Sequence, residues 1–270
     1  MPLASAATTL RQTLKDPNGF VIAPGVYDGL SARLALAAGF DALYMTGAGT
    51  AASVHGQADL GICTLNDMRT NAEMIANLSP STPLICDADT GYGGPIMVSR
   101  TTEQYARSGV AAFHIEDQVQ TKRCAAVQAR NRLGSDIVVI ARTDSLQGHG
   151  YEEALTRLRA ARDAGADAVK DLAPWPLLLN MVEHGSTPSI TAQEAREIGF
   201  KIIIFPFATI GPALTAMAEG LEKLKKLGLP GLDESLTPQA LFRACGLDES
   251  VKLDAEAGGV SFEGGVDLRK

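Results

Sequence analysis

The sequence is poor in the features that mark nucleic-acid-binding, membrane-spanning and disulfide-bonded proteins. It has one tryptophan in 270 residues, and aromatics make up only 5% of the chain. Lysine and arginine number 24 against 31 aspartates and glutamates, and no basic run is interleaved with aromatics. Nucleic acid is therefore not an expected partner. No uninterrupted apolar run approaches the roughly 20 residues that a membrane span needs. Residues 1–16 lack the basic-then-apolar order of a secretory signal. The four cysteines, Cys63, Cys86, Cys124 and Cys245, stand far apart with no CxxC pair. That spacing argues against a zinc site or a disulfide framework and for a reducing compartment. The last four residues carry no peroxisomal tripeptide, so the expected location is the cytosol.

What is present is a repeated unit. Strand-like apolar runs occupy residues 20–26, 42–46, 84–88, 111–116, 137–143, 177–182 and 201–207, with a weaker one at 165–169. Helical patterns fill 29–38, 65–77, 95–108, 151–164, 191–198 and 210–227, and a shorter one covers 125–133. Strands alternating with helices imply a parallel sheet with right-handed crossovers. Eight strands predict an α/β fold of the (β/α)8 TIM type, in one domain over residues 1–270. Its core covers about 20–227, and a C-terminal helical extension and tail cover 228–270, with a short helix at 237–245. An open doubly wound sheet is the competing fold, but no G-x-G-x-x-G follows the first strand. Two connections look too short for a parallel crossover, one after the fourth strand and one around the sixth strand and helix.

The most informative stretch is residues 83–94, PLICDADTGYGG. An apolar run delivers Asp87 and Asp89, which share a face by the two-residue period of a strand. Two carboxylates this close repel unless a cation or proton lies between them, and a hard divalent metal suits an all-oxygen site. The alternative is a helix cap plus a turn acid. Other strand ends repeat the polar pattern. Tyr44 leads into Thr46, Gly47 and Ala48, whose small residues let backbone N–H groups approach an anion or form a plain tight turn. Asp59 follows in a small, apolar loop, from which a third acid reaches a metal through water. His114 and Glu116 share a face, as catalytic groups or as a structural pair. Cys124 follows Lys122 and Arg123, and neighbouring cations lower a thiol's pKa; an inert thiol is the other reading. Arg142 ends a strand as a bidentate carboxylate clamp. Asn180 and Glu183 precede the turn holding Ser186, Thr187 and Ser189, of which Ser186 and Ser189 are candidates for substrate choice.

In sequence order, TGAG, DADTGYG, FHIEDQ, KRC, ARTDS and NMVEHGxTP resemble the isocitrate lyase/phosphoenolpyruvate mutase superfamily over roughly residues 20–246. The branch resembled holds oxaloacetate hydrolase and 2,3-dimethylmalate lyase, with 2-methylisocitrate lyase further off. The resemblance implies a barrel in a helix-swapped homotetramer and Mg²⁺ or Mn²⁺ chelating a small 2-oxo or 2-hydroxy dicarboxylate. It implies cleavage of a carbon–carbon bond, with oxaloacetate giving oxalate and acetate as the leading example. Asp87 would be the main metal ligand, with Asp59, Asp89 and Glu116 acting mostly through water. Tyr44, Thr46, Gly47, Ala48, Arg142, Asn180, Glu183, Thr187 and Ser189 would bind substrate. Cys124, on a mobile loop tuned by Lys122, would be the acid/base, with Arg142, Glu116 and His114 completing the catalytic set. The chain departs from the pattern after Cys124, where Gly-His and a longer loop are replaced by Ala125-Ala126-Val127-Gln128. It departs again after Val169, where a sixth helix is missing. Two alternatives follow: a catalytically impaired binding paralogue or truncated form lacking the lid, and phosphonomutase-type carbon–phosphorus chemistry.

Overall fold

A computed structural model describes residues 4–116, 120–143, 145–169, 175–185 and 188–259. After a first helix, α1 (Ala6–Lys15), the chain alternates β1 (Val21–Val26), α2 (Gly29–Ala37) and β2 (Leu43–Met45). A short helix α3 (Gly47–Thr50) continues into a π-helical turn (Ala51–His55), followed by α4 (Leu65–Leu78), β3 (Leu84–Asp87), α5 (Pro95–Arg107) and β4 (Ala112–Glu116). The second half holds α6 (Gln120–Leu133), β5 (Val138–Arg142), α7 (Ser145–His149), α8 (Tyr151–Asp163), β6 (Ala168–Val169), β7 (Leu178–Asn180), α9 (Ala192–Ile198) and β8 (Ile202–Phe205). Three helices follow: α10 (Ile210–Leu227), α11 (Pro238–Ala244) and α12 (Leu247–Glu256). All eight strands pair in parallel in the order β6-β5-β4-β3-β2-β1-β8-β7, the curled sheet of a TIM-type barrel. Among the described residues no ladder joins β6 to β7.

Alternation along the strands sorts the core into two shells. Ala23, Tyr44, Ile85, Ala112, Ile140, Leu178 and Ile204 form the inner one. Met45, Cys86, Phe113, Ile115 and Val139, one residue out of phase, pack outward against α2, α4, α5 and α6. Helix starts follow local chemistry. Asp28 with Ser31, Thr64 with Asp67, and Thr191 with Glu194 form capping boxes that satisfy otherwise unpaired backbone donors.

Helix α1 was not anticipated from the sequence, because only Leu10 and Leu14 mark its apolar face. Both join Ala6 and Ala7 in the inner cluster, so α1 closes the floor of the barrel. Arg11 fastens it, with Nη1 2.6 Å from Asp167 Oδ1, Nη2 3.0 Å from Oδ2 and Nε donating to Asp136 O at 2.5 Å.

Two sequence expectations change. Cys124 lies within α6 rather than on a mobile loop, and the β4-to-β5 connection holds a full helix of 14 residues. With no Gly-His after Cys124, the segment from Gln120 joins residues 125–133 in one helix, and only 117–119 separate it from β4. The weak sixth strand exists as Ala168–Val169, paired with β5. Between it and β7 the described residues contain no helix, as the short connection requires. No described helix is long and apolar enough to cross a membrane.

Candidate active site

Among the described residues, the C-terminal ends of β3, β4 and β5 place acids and the cation of Arg142 at the mouth of the barrel, beside Gly47 at the end of β2. Asp87 stands at the centre. Its Oδ1 accepts the Asp89 N–H at 2.8 Å, and its Oδ2 lies 3.3 Å from both the Gly47 N–H and the Tyr44 hydroxyl. Tyr44 is buried below, its hydroxyl 2.8 Å from His114 Nε2. The arrangement that satisfies every donor has His114 Nε2–H donating to the phenol oxygen and the phenol donating on to Asp87. Burial first, then the charge of Asp87, pushes the Tyr44 pKa well up, which keeps the phenol protonated. Asp89 takes a left-handed conformation, φ 46°, which points its N–H at Asp87 and lets its carbonyl accept the Glu116 N–H at 2.8 Å. A Cβ on Gly47 would sit 2.6 Å from Asp87 Oδ2, so only glycine fits there.

Glu116 and Arg142 are paired in register across β4 and β5, with Arg142 Nη1 2.5 Å from Glu116 Oε1. A cavity of about 180 Å³ opens between these groups, lined by Gly47, Asp59, Gly61, Cys63, Met68, Asp87, Asp89, Tyr92, Glu116 and Arg142. Burial, joined by repulsion from Asp87 and Asp89, pushes the Asp59 carboxyl up against a smaller opposing pull from Arg142. The Cys63 thiol is pushed up too, by burial and then by Asp67 and other acids, and stays neutral.

This donor set suits a hard divalent cation. Four carboxylates face a space with room for water, and the strain between them is the kind that a cation relieves. Among the described residues no three acids, histidines or cysteines close round one point.

The structure gathers Asp59, Asp87, Asp89, Glu116, Arg142 and Gly47 in one cavity, with His114 and Tyr44 beneath. It separates others. Thr46 is buried, and its hydroxyl caps α3 by accepting from Gly49 N at 3.3 Å, while Ala48 is half-buried and off the cavity wall. The Gly47 N–H faces Asp87 rather than open space. Asn180 faces the barrel interior at the end of β7, and its buried Oδ1 has no hydrogen-bond partner among the described residues. Glu183 and Ser189 are exposed and line no part of the cavity. Cys124 is exposed on α6 and also absent from the wall. Ser186 and Thr187 lie outside the described residues, as does the side chain of Lys122. Sequence reasoning missed Gly61, Cys63, Met68 and Tyr92 as lining; only Tyr92 carried a signal, its place inside DADTGYGG.

The family model described as phosphoenolpyruvate phosphomutase matches residues 10–225. A solved structure of 2,3-dimethylmalate lyase, a PEP mutase/isocitrate lyase superfamily member, is 70% identical, covers 98% of this chain and 100% of its own, and superposes with a TM-score of 0.96. Oxaloacetate acetylhydrolase in complex with the product oxalate is 51% identical over 94% of this chain and 99% of its own, with a TM-score of 0.92. The 2-methylisocitrate lyase of Aeropyrum pernix is 34% identical over an alignment that covers 94% of this chain and 92% of that protein.

Proposed function

The chain belongs to the isocitrate lyase/phosphoenolpyruvate mutase superfamily, and from that premise we propose that it cleaves a carbon–carbon bond in a small 2-hydroxy or 2-oxo dicarboxylate, with Mg²⁺ or Mn²⁺ bound. The observation that carries this is the cavity in which Asp59, Asp87, Asp89 and Glu116 face Arg142. A phosphonopyruvate hydrolase that is 27% identical over 93% of this chain, with a TM-score of 0.81, is solved in complex with oxalate and Mg²⁺. When bound, the cation supplies Lewis-acid stabilisation of a substrate oxyanion.

The chain's own groups divide the remaining work. Asp87 holds the cation, with its carboxylate oriented by Tyr44, Gly47 and Asp89. Arg142, steadied by Glu116, presents a guanidinium to a substrate carboxylate, and Asn180 offers a carbonyl oxygen to a substrate hydroxyl. On a 2-hydroxy acid a cavity carboxylate takes the hydroxyl proton, the bond between the carbinol carbon and its neighbour breaks, and a 2-oxo acid is left. On a 2-oxo acid water first adds to the carbonyl and the hydrate breaks at the same bond, leaving a carboxylic acid. The electron pair goes to a carbanion beside the second carboxylate, which then takes up a proton.

The higher identity to the dimethylmalate lyase puts 2,3-dimethylmalate ahead of oxaloacetate as substrate. Carbon–phosphorus chemistry is not favoured, because a 2,3-dimethylmalate lyase and an oxaloacetate acetylhydrolase each share half or more of their residues with this chain. A silent paralogue is not favoured either, since the acids and Arg142 are all in place.

Residues 1–270 act as one barrel domain whose C-terminal helices make subunit contacts in a homo-oligomer. Leu214, Met217, Leu221 and Leu224 recur along one stripe of α10, each between 44% and 66% exposed. Covering the exposed half or so of each is worth roughly 1–1.5 kcal/mol, about half the value for full burial, and a second copy of the chain supplies the cover. The test of function is incubation of metal-loaded protein with 2,3-dimethylmalate and, separately, oxaloacetate, with products followed by NMR. Flat time courses on both, with folded protein, would sink the reading.

A further inference from the structure

Asp87 is held a second time, at its main chain, from outside the barrel wall. In the β2–β3 ladder Leu43 N donates to Pro83 O at 2.9 Å. Stepping by two along both strands brings Gly47 N opposite Asp87 O, yet Gly47 N donates to the carboxylate Oδ2 instead, at 3.3 Å. The main-chain carbonyl is taken by the phenol of Tyr105, which donates to it at 2.7 Å. The Tyr92 hydroxyl stands 3.4 Å from the same carbonyl and 3.4 Å from the Tyr105 hydroxyl. Tyr105 projects from α5, is fully buried, and packs edge-on against Phe113 with ring centroids 5.9 Å apart, so its position is fixed. Tyr92 takes a left-handed backbone, φ 58°, a conformation that costs a non-glycine residue about 1–3 kcal/mol and persists where the surroundings impose it.

We infer that Tyr105 is a positioning residue for the metal-binding acid, fixing Asp87 through its main-chain carbonyl with Tyr92 as a secondary donor. Gly47 N turns to the carboxylate, and the phenols replace the ladder bond it would otherwise make. Burial pushes both phenols well above the ordinary tyrosine value, so each remains a neutral donor across the range in which the protein works. Removing the Tyr105 hydroxyl leaves the strand end, and with it Asp87, freer to drift from the point where a cation is held. The inference rests on the reading of Asp87 as metal ligand.

The test titrates Mn²⁺ into metal-free full-length protein and follows the EPR signal of the free ion. Tyr105→Phe is expected to weaken Mn²⁺ binding about tenfold, the lower end of what losing an outer-shell partner costs. Turnover at saturating Mn²⁺ should return close to the wild-type value. A purely packing role predicts a lower thermal midpoint with unchanged Mn²⁺ affinity, and unchanged affinity overturns the inference. Should Tyr105→Phe fail to fold, Tyr92→Phe carries the test, with a weakening of about threefold expected from its longer contact and no change again overturning it. Asp87→Asn separates the two levels. If that variant binds Mn²⁺ as tightly as wild type, the reading of Asp87 itself fails; if it alone loses the ion, only the role of Tyr105 does.

Discussion

Arg142 and Glu116 face each other across neighbouring parallel strands, Nη1 to Oε1 2.5 Å, at the rim of a cavity whose other charged lining groups, among the described residues, are all acids. The pair gives the guanidinium a fixed direction, and its charge moderates the repulsion among the acids beside it.

Replacing Arg142 by lysine keeps the charge and loses the planar fork. The expected result is a fall in kcat/KM on the order of a hundredfold, the cost of losing one well-placed stabilising donor. Steady-state kinetics on 2,3-dimethylmalate with saturating Mn²⁺ provide the measurement. A change of less than threefold would place the substrate carboxylate elsewhere, given the roughly hundredfold effect expected.

Gly47→Ala puts a methyl group where Asp87 Oδ2 now lies, 2.6 Å from the added carbon. The carboxylate must move, so Mn²⁺ affinity should drop by about tenfold or more. Calorimetric titration checks this, with Gly61→Ala as a comparison on the same wall, where the nearest atom would be 3.8 Å away but the backbone is left-handed.

Cys124→Ser decides between motif and geometry. The thiol is exposed on α6 and lines no part of the acid cavity. Activity should stay within a few-fold of wild type, rather than fall by the 10²–10⁴ that loss of a proton-transfer group costs. A larger fall would mean that the start of α6 rearranges towards the mouth during turnover.

The floor of the barrel has its own acid sensitivity. Burial alone would raise the Asp136 carboxyl, but hydrogen bonds from Ser5 and Thr8, a backbone bond and the charge of Arg11 outweigh it and hold the value below the ordinary one. A depressed carboxylate contributes stability above its unfolded value of about 3.9, and that contribution is lost as pH falls through the folded value. Thermal midpoints of wild type and Asp136→Asn should therefore differ near neutrality and converge in acid. A constant gap from pH 7 to about 2 would contradict the linkage.

Leu221→Glu places a charge in the apolar stripe of α10, where Leu221 is 66% exposed in the single chain. Light scattering should report a multiple of the chain mass for wild type and a smaller species for the variant. Equal masses would remove α10 from the subunit contact.

The sequence was most legible where one rule governs both chain and structure. Asp87, Glu116 and Arg142 each end a strand, so the two-residue period alone puts them on the inner face. Cavity residues contributed by loops were legible only in part: Asp59 was named, but Cys63 and Gly61 escaped, because where they come to lie depends on how the following helix packs. Tyr105 reads as one more apolar position of α5, and nothing local reveals that its hydroxyl meets a strand end. Cys124 was misplaced because expectation followed the motif; without a loop after it, the residue was absorbed into the helix. Helix α1 passed unnoticed because its partner surface is the barrel floor, which exists only after the strands have curled.

That floor gives the barrel a stopped base. Leu10 and Leu14 pack into the inner cluster at the end opposite Asp87, so among the described residues the acid cavity is approached from the rim.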